Sequence, residues 1–95
     1  MSWERDDHEQ PRHDLKVWQL GMRLARQVYA MTEEFPQSER YELASQLRRA
    51  ATSVPSNIAE GSARRTDRDF LRFLYQARGS LVELDTQMHL AEKLD

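Results

Sequence analysis

The chain contains no cysteine, which excludes disulfide scaffolds, thiol nucleophiles and cysteine-ligated zinc sites. Glycine and proline occur only three times each in 95 residues. A fold of many short strands is therefore disfavoured, and an all-helical class is expected. The N-terminus is polar and no apolar run reaches the length of a membrane span, so the sequence predicts neither a signal peptide nor a transmembrane helix. We expect one small cytoplasmic domain.

Charge is abundant but unevenly distributed along the chain, whose net charge is −2. Between Arg48 and Arg78, seven arginines stand against three acidic residues, a local balance of +4. The remainder carries seven basic and thirteen acidic residues, a balance of −6. This asymmetry can place a basic surface on an acidic protein. The alternative is that the charges are scattered over solvated helix surfaces.

The most unusual stretch is 45–61, SQLRRAATSVPSNIAEG. The apolar residues in and just before it recur at helical spacings: Leu43, Leu47, Ala50, Val54 and Ile58. Pro55 interrupts this pattern, because a mid-helix proline removes a backbone hydrogen bond and collides with the preceding turn, at a cost of about 3 kcal/mol. The helix either kinks at Pro55 and continues, or stops near Ser53 and restarts with Pro55 in its first turn. We favour one kinked helix that ends at Gly61, because Ile58 and Ala59 continue the apolar face.

A helix is also expected before this stretch, from a cap at Asp14 to an end at Phe35, since the residue before Pro36 resists the helical conformation. It carries two apolar stripes. The first consists of Leu15, Trp18, Met22, Ala25 and Tyr29, and the second of Val17, Leu20, Leu24, Val28 and Met31. Two stripes are wider than one helix contact needs, so this helix should contact two neighbours, or one neighbour and another subunit.

A third helix follows, and Thr66 with Asp69 resembles a capping box at its start. Its apolar residues form a sustained seam typical of near-parallel helix packing: Phe70, Leu74, Ala77, Leu81, Leu84, Met88 and Ala91. The predicted helices cover about 14–35, 38–61 and 67–94 in one domain, 14–95. We expect the polar residues before it, 1–13, to form a flexible arm. Trp3 is its one candidate for packing on a neighbour, and a free tail is the favoured alternative. Short connections predict antiparallel neighbours. The apolar surface exceeds what three helices can hide, so a fourth helix or partner subunits should cover it.

The string QLRRAATSVPSNIAEGSARR resembles the signature of the four-helix-bundle proteins named for 23S ribosomal RNA intervening sequences. The flanking strings FPQSERYELASQLRR and DFLRFLYQARGSLVELDTQ extend the resemblance over most of the chain, from Asp14 to Leu94. The resemblance implies an antiparallel up-down four-helix bundle, commonly a homopentamer, with no established enzymatic activity. A related branch, the accessory variability proteins of diversity-generating retroelements, is similar in fold and binds nucleic acid through a basic surface. Family members usually continue into a fourth helix, whereas this chain ends at Asp95. Either that helix is absent or the sequence is incomplete.

The residues indicate no metal site and no catalytic centre. His8, Glu9 and His13 loosely resemble a zincin helix, but the histidines are five apart with Pro11 between them, so they would not share a helical face. His89 lies beside the third-helix seam. No nucleophile-elbow pattern or nearby histidine–acid pairing accompanies the candidate serines, Ser53, Ser56, Ser62 and Ser80. We expect no metal, no cofactor and no enzymatic activity.

Two polar sets remain as candidate sites. Asn57 and Glu60 lie within one helical turn, and we predict that they form a structural polar pair that holds the kinked helix. Six arginines are candidates for binding RNA or DNA: Arg48, Arg49, Arg64, Arg65, Arg68 and Arg72. The planar guanidinium suits phosphate, and without interleaved aromatics the contact would be to the nucleic-acid backbone and salt-sensitive. The alternative is that the arginines form salt bridges to Glu39, Glu42 or Glu60, or to a neighbouring subunit.

The sequence therefore predicts a non-enzymatic oligomeric scaffold or interaction module that associates with copies of itself. A nucleic-acid-binding protein that uses the arginines is the second hypothesis. The residues expected at contacts between copies are apolar or small: Trp18, Tyr29, Ala51, Val54, Phe73 and Val82.

Overall fold

The computed structural model describes residues 12–94, apart from the side chains of residues 12–14 and 37–39. The predictions about Trp3, His8 and Glu9, and about the side chains of His13 and Glu39, lie outside the described residues. Residues 12–94 form three helices and no strand: α1 (Arg12–Thr32), α2 (Gln37–Ser62) and α3 (Asp67–Leu94). The prediction of an all-helical chain with three helices is confirmed.

The second helix lies between the other two and packs against both. Within 12–94, α1 and α3 make no close backbone approach to each other. Arg40 Nη1, near the start of α2, donates to the backbone carbonyl of Ala91 near the end of α3 at 3.4 Å. Gly21, in the first half of α1, lies against Pro55 in the second half of α2. Neighbouring helices therefore run antiparallel, and α1 and α3 point in the same direction.

Both boundaries of the first helix differ from the predicted ones. It begins at Arg12, so Asp14 lies inside its first turn and not at the predicted cap position. It ends at Thr32, before the predicted end at Phe35. The backbone N–H groups of Glu34 and Phe35 donate to carbonyls three residues earlier, so the chain already tightens into a turn there. The hydroxyl of Thr32 also donates to the Val28 carbonyl at 2.8 Å.

The second helix runs as one element through Pro55. The alternative in which it stops near Ser53 and restarts is therefore wrong. Its predicted apolar face is buried against the neighbouring helices, at Leu47, Ala50, Val54 and Ile58. Because alanines make up much of this face, the helix axes can approach closely.

The second helix ends at Ser62 and not at the predicted Gly61. Gly61 is helical, and Ala63 caps the helix in a right-handed conformation, φ −84° and ψ −6°. The interpretation of Gly61 as a helix stop is therefore wrong. A Cβ at Gly61 would lie 2.9 Å from both Phe70 Cδ1 and Phe73 Cβ. Glycine stands here because α3 passes too close for a side chain.

The third helix begins as its capping residues predict. Thr66 Oγ1 accepts a hydrogen bond from the backbone N–H of Asp69 at 3.1 Å. The backbone N–H of Phe70 donates to the Thr66 carbonyl at 3.0 Å. Thr66 is therefore the N-cap residue of α3.

The edge of α3 that faces α2 differs in part from the predicted seam. Its buried residues are Phe73, Ala77, Leu84 and Ala91. Ser80 continues this line and forms a hydrogen bond with Ser53 of α2. Leu81 and Met88 of the predicted seam remain 43% and 36% exposed. They line the space between α3 and α1.

Candidate functional site

Two apolar grooves lie on opposite sides of α1. The first, the α1–α3 groove, has a volume of about 300 Å³. Its apolar lining consists of Leu24, Val28 and Met31 from α1 and Leu81, Leu84 and Met88 from α3. Leu47 of α2 belongs to the same buried cluster as Val28 and Leu84, so α2 forms the floor. The groove lies where α1 and α3, each packed on α2, fail to meet.

The second, the α1–α2 groove, is larger and more open, with a volume of about 1080 Å³. Its lining from α1 includes the large side chains Trp18, Met22, Arg23, Arg26, Tyr29 and Glu33. Its lining from α2 consists of small side chains, Thr52, Pro55, Ser56 and Ala59. The groove forms because bulky residues of α1 stand beside a solvent-facing edge of α2 that carries only small ones.

The six residues predicted at contacts between copies fall into two groups, three that are at least partly exposed and three that are buried. Trp18 is half-buried in the α1–α2 groove, and Tyr29 lies in the same groove at 43% exposure. Val82 is 59% exposed on α3. The other three, Ala51, Val54 and Phe73, are buried between the helices of this chain. Their burial corrects the expectation that a second copy contacts them. Ala51 and Val54 pack in buried clusters with residues of the other helices, and Phe73 of α3 lies against Gly61 of α2.

Arg48 has a structural role at the α1–α2 contact. Its Nε donates to Thr32 Oγ1 at 2.7 Å. Its guanidinium carbon lies 4.7 Å from the centroid of the Tyr29 ring. Arg48 is half-buried and already engaged on both the hydroxyl and the ring, so it is poorly placed to bind phosphate.

Arg64 and Arg72 lie on either side of one aromatic ring. Their guanidinium carbons are 4.6 Å and 5.0 Å from the Phe73 centroid. Arg64 Nη2 is 3.4 Å from Glu60 Oε2, and Arg72 Nη2 is 4.0 Å from a carboxylate oxygen of Asp69. The pairing of Arg64 with Glu60 is one that the sequence offered as the alternative to nucleic-acid binding, whereas the pairing of Arg72 with Asp69 was not predicted.

Arg65 and Arg68 are the arginines left unengaged. Both are exposed, and within 12–94 neither forms a hydrogen bond or an ion pair. Arg49, also exposed, donates a hydrogen bond from Nη2 to Ser45 Oγ at 3.4 Å.

The six candidate arginines do not form one patch. Arg48 and Arg49 lie in the middle of α2, whereas the other four lie at and after the α2–α3 turn. The helical rise separates Arg49 from Arg64 by about 22 Å along the bundle.

The predicted polar pair of Asn57 and Glu60 is not formed in the described structure. Asn57 Nδ2 donates to the Ser53 carbonyl at 2.8 Å. Glu60 instead pairs with Arg64 and is exposed. Positions three apart on a helix can pair, but here each side chain is engaged with another partner four residues away along the chain.

The candidate serines have structural surroundings. Ser53 and Ser80 join α2 to α3 through their hydroxyls, and Ser53 Oγ also lies 3.0 Å from the Ala50 carbonyl. Ser62 is fully buried and its hydroxyl has no hydrogen-bond partner in the structure. Ser56 is exposed in the α1–α2 groove. In the described part of the chain, no three acidic or histidine side chains converge in a metal-binding arrangement.

His89 is fully exposed near the end of α3, and its pKa is raised above the ordinary value of 6.5. The main cause is the hydrogen bond to the Asp85 backbone carbonyl, which lies 2.8 Å from Nδ1 and favours the protonated ring. The carboxylate of Asp85, 3.6 Å from the same nitrogen, adds electrostatic attraction.

Arg40 is the residue whose role sequence reasoning missed. It is 9% exposed. Its guanidinium carbon lies 5.5 Å from the Phe35 ring centroid, and it also reaches the Ala91 carbonyl of α3. A signal was available, because Arg40 precedes Ala44 and Leu47 at the spacing of the buried face of α2.

None of the three helices in the described chain combines the length and apolar character needed to cross a lipid bilayer. A search of curated proteins finds no significant match. The family model described as 23S rRNA-intervening sequence protein matches residues 13–95, which include α2 and α3 entire and α1 except its first residue. The chain therefore belongs to the 23S rRNA-intervening sequence protein family.

Proposed function

We propose that this chain is a non-enzymatic, self-associating helical-bundle protein that serves as an oligomeric scaffold or interaction module. The observation that supports this proposal is the α1–α3 groove, an apolar surface that the three helices leave open. Contiguous apolar patches on soluble proteins commonly mark interaction surfaces. Burying a leucine or methionine side chain contributes about 1.5–3 kcal/mol. The exposed parts of Leu81 and Met88 in this groove therefore provide a driving force for association.

Within this proposal, the α1–α3 groove is the fourth position of an antiparallel four-helix bundle. Because α1 and α3 run in the same direction on either side of α2, a helix between them would run antiparallel to both, as an up-down bundle requires. The family resemblance implies such a helix. Its apolar face would meet Leu24 and Met31 on one side and Leu81 and Met88 on the other.

The same proposal includes a bend of α2 at Pro55. Pro55 has no N–H to donate to the Ala51 carbonyl, and its ring crowds the preceding turn. Gly21 offers the proline a partner without a side chain, since a Cβ there would lie 3.3 Å from Pro55 Cβ.

Light scattering coupled to size-exclusion chromatography tests self-association. We expect a mass above 11.2 kDa that is maintained on dilution, and the family resemblance suggests five copies. Leu81→Glu should lower the mass, because a carboxylate in the groove loses solvation when the groove is covered. Leu81→Met keeps the apolar volume and serves as the matched control. A monodisperse monomer at all concentrations would overturn the proposal.

A second candidate function is binding of RNA or DNA through the backbone phosphates. Arg65 and Arg68 favour it, because they are exposed and have no acidic partner within the described chain. The engagement of Arg48, Arg64 and Arg72 with this chain's own side chains limits it. Four arginines beside Glu60, Asp67 and Asp69 leave a local charge of only +1 between residues 60 and 72.

A mobility-shift titration with structured RNA and with duplex DNA, at two salt concentrations, tests the second function. Arg65→Ala combined with Arg68→Ala should weaken binding and flatten its salt dependence. The matched control, Arg23→Ala with Arg26→Ala, removes the same charge from α1. Equal effects of the two pairs, or no binding at low salt, would exclude a specific arginine site.

A further inference from the structure

The charges along the α1–α2 groove follow a fixed order. Between residues 15 and 33, the charged residues of the chain are Lys16, Arg23, Arg26 and Glu33, three positive and then one negative. The last three of them line the groove. All four are exposed, and within 12–94 none of their side chains forms a hydrogen bond or an ion pair. Their charges are therefore available to an occupant of the groove.

The exposed surface of α3 carries the complementary order when it is read in reverse. From residue 92 back to residue 78, its carboxylates and guanidinium groups are Glu92, Asp85, Glu83 and Arg78, three negative and then one positive. All four are exposed. His89 lies among them and is engaged with Asp85.

Apolar side chains lie between these charges on α3. Tyr75, Val82 and Leu90 are exposed. Together with Thr86 they recur at spacings of seven, four and four, which places them on one face of the helix. We call these four residues the α3 ridge. It rises about 22 Å along α3, and the α1–α2 groove extends over about the same length of α1, from residue 18 to residue 33.

We propose that the α3 ridge of one copy occupies the α1–α2 groove of a second copy, with the two helices antiparallel. This contact rests on the self-association proposed above and adds to it the two surfaces that meet. The occupant is a second copy because the described chain itself carries a surface that matches the groove in length, in apolar character and in the order of its charges.

The spacing of the charges determines the direction of docking. Arg26 and Glu33 are about 10 Å apart along α1, and Glu83 and Arg78 are about 8 Å apart along α3. Antiparallel docking that sets Glu83 beside Arg26 therefore brings Arg78 level with Glu33 to within about 3 Å along the axis.

The same register also matches the remaining charges. It sets Asp85 level with Arg23, and Glu92 level with Lys16, each to within about 2 Å along the axis. Parallel docking with the same starting pair would instead set Arg78 close to Arg23, where like charges repel each other. The order of the charges thus favours one direction.

The shape of the groove also suits the α3 ridge. Because α2 lines the groove with small side chains and α1 lines it with large ones, the groove is an open trough that a helix can enter. In the antiparallel register, Leu90 comes level with Trp18, and Val82 lies within one turn of Tyr29. Trp18, Tyr29 and Val82 are the three predicted contact residues that remain exposed or half-buried in this chain. Burial of these apolar side chains supplies affinity, and the charges fix the register.

The proposed contact has a consequence for the form of the assembly. The groove and the ridge are different surfaces, so the contact is heterologous. A copy whose ridge fills a neighbour's groove still has its own groove open to the next copy. Contacts of this kind generate a closed ring or an open filament, and not a two-fold dimer.

Exchange of charges within each surface tests the contact. The groove variant combines Arg26→Glu with Glu33→Arg, and the ridge variant combines Arg78→Glu with Glu83→Arg. Each variant keeps the net charge of −2, and none of the four positions lines the α1–α3 groove. We expect each variant alone to dissociate at a concentration at least about tenfold higher than the natural chain, because like charges then face each other. The quadruple variant restores every exchanged pair and should regain the natural mass in light scattering over a dilution series.

Disulfide trapping tests which surfaces meet, and the natural chain has no cysteine to interfere. Ser56→Cys in the groove is combined with Thr86→Cys on the ridge. Ser56 follows Pro55, which lies against Gly21, so the antiparallel register places residue 86 within one turn of it. Oxidation should link copies into a ladder of dimers, trimers and larger species on non-reducing electrophoresis, whereas either cysteine alone should give dimers at most. The matched control combines Ser56→Cys with Gln76→Cys, which is exposed on α3 outside the ridge.

The outcomes separate this contact from self-association in general. A natural chain that remains a monomer overturns both the proposed function and the proposed contact. An assembled natural chain whose dissociation the groove and ridge variants leave unchanged overturns the contact alone, as does a quadruple variant that stays dissociated while circular dichroism shows it folded. A ladder that is absent, or that is equally strong for the control pair, also overturns the contact alone.

Discussion

At the scale of single residues, the three glycines of this chain occupy three different environments. A Cβ at Gly61 would meet Phe70 and Phe73 at 2.9 Å, and one at Gly21 would meet Pro55 at 3.3 Å. A Cβ at Gly79 would meet nothing within 4 Å. All three positions are helical, so their backbone conformation does not distinguish them. The three glycines differ in how closely a neighbouring helix approaches them.

Alanine substitution at two of these positions should change stability in opposite directions. Gly61→Ala should destabilise the fold by about 1–3 kcal/mol, because Phe73 Cβ is held close to its own backbone and cannot move aside. Gly79→Ala should stabilise it by about 0.5–1 kcal/mol through helix propensity alone. Urea unfolding followed by circular dichroism measures both. Stabilisation by Gly61→Ala would mean that α3 does not approach α2 as closely as the structure shows.

The raised pKa of His89 gives a second prediction at this scale. NMR titration of its ring protons should yield a pKa above 6.5. Asp85→Asn should lower it only in part, because the backbone carbonyl still accepts the hydrogen bond. Since the folded pKa is raised, His89 stabilises the fold fully below pH 6.5 and loses this contribution as the pH rises through the folded value. A pKa at or below 6.5 would contradict the Asp85 contacts.

The sequence could not reveal why Gly61 is glycine. A glycine near the end of a helical pattern indicates a helix stop, and local reasoning could not detect two phenylalanines that arrive from the next helix. Ala51, Val54 and Phe73 were misplaced for a similar reason. Their apolar character was evident, but which neighbour covers them depends on how the three helices pack.

At the scale of secondary-structure elements, α2 contains Pro55 in its interior, where a proline strains the helix. A Cβ built on Gly21 would meet Pro55 first at its Cβ, Cα and N atoms, 3.3–3.4 Å away. Alanine has the same three atoms. Replacing Pro55 by alanine would therefore leave this closest approach between α1 and α2 unchanged.

Pro55→Ala should therefore stabilise the chain. The substitution restores an N–H that can donate to the Ala51 carbonyl, and it removes a steric conflict that costs about 3 kcal/mol in a helix interior. We expect a higher thermal midpoint and a stronger helical circular dichroism signal. A lower midpoint would show that packing requires the bend at Pro55.

The helices themselves were predictable from periodicity, and the exact edge of α3 was not. Spacings of four and three describe equally well the line through Phe73 and Ser80 and the line through Leu74 and Leu81. The two lines share Ala77 and Leu84. Sequence reasoning chose the more apolar line, whereas α2 packs against the one with Phe73 and Ser80. Leu74 still packs against the buried cluster of Val54, Ile58 and Ala77, whereas Leu81 lines the α1–α3 groove.

At the scale of the whole molecule, α2 is the one helix of the described chain that packs against two others. Arg40 joins its start to Ala91 of α3, and Arg48 joins its middle to Thr32 of α1. The first and third helices each have one such neighbour and expose apolar side chains on their free sides. Because α2 is covered by two helices and α1 and α3 by one each, the helices should differ in how readily they detach.

Amide hydrogen exchange measured by NMR should therefore be slowest in α2. Amides between residues 47 and 58 should exchange mainly through global unfolding, whereas those of α1 should also exchange through detachment of that helix alone. Arg48→Met removes the hydrogen bond to Thr32 and should accelerate exchange in α1 more than in α3. Equal protection of α1 and α2 in the natural chain would indicate that another copy covers α1 firmly in solution.

Because α1 and α3 run in the same direction, residues 12 and 94 lie at opposite ends of a structure 49 Å long. Anything fused to one end is held apart from anything fused to the other by the length of the bundle. A pair of fluorophores placed there would report loss of helical structure as a change in energy transfer. The chain therefore separates its two ends by the length of the bundle, because α3 runs in the same direction as α1.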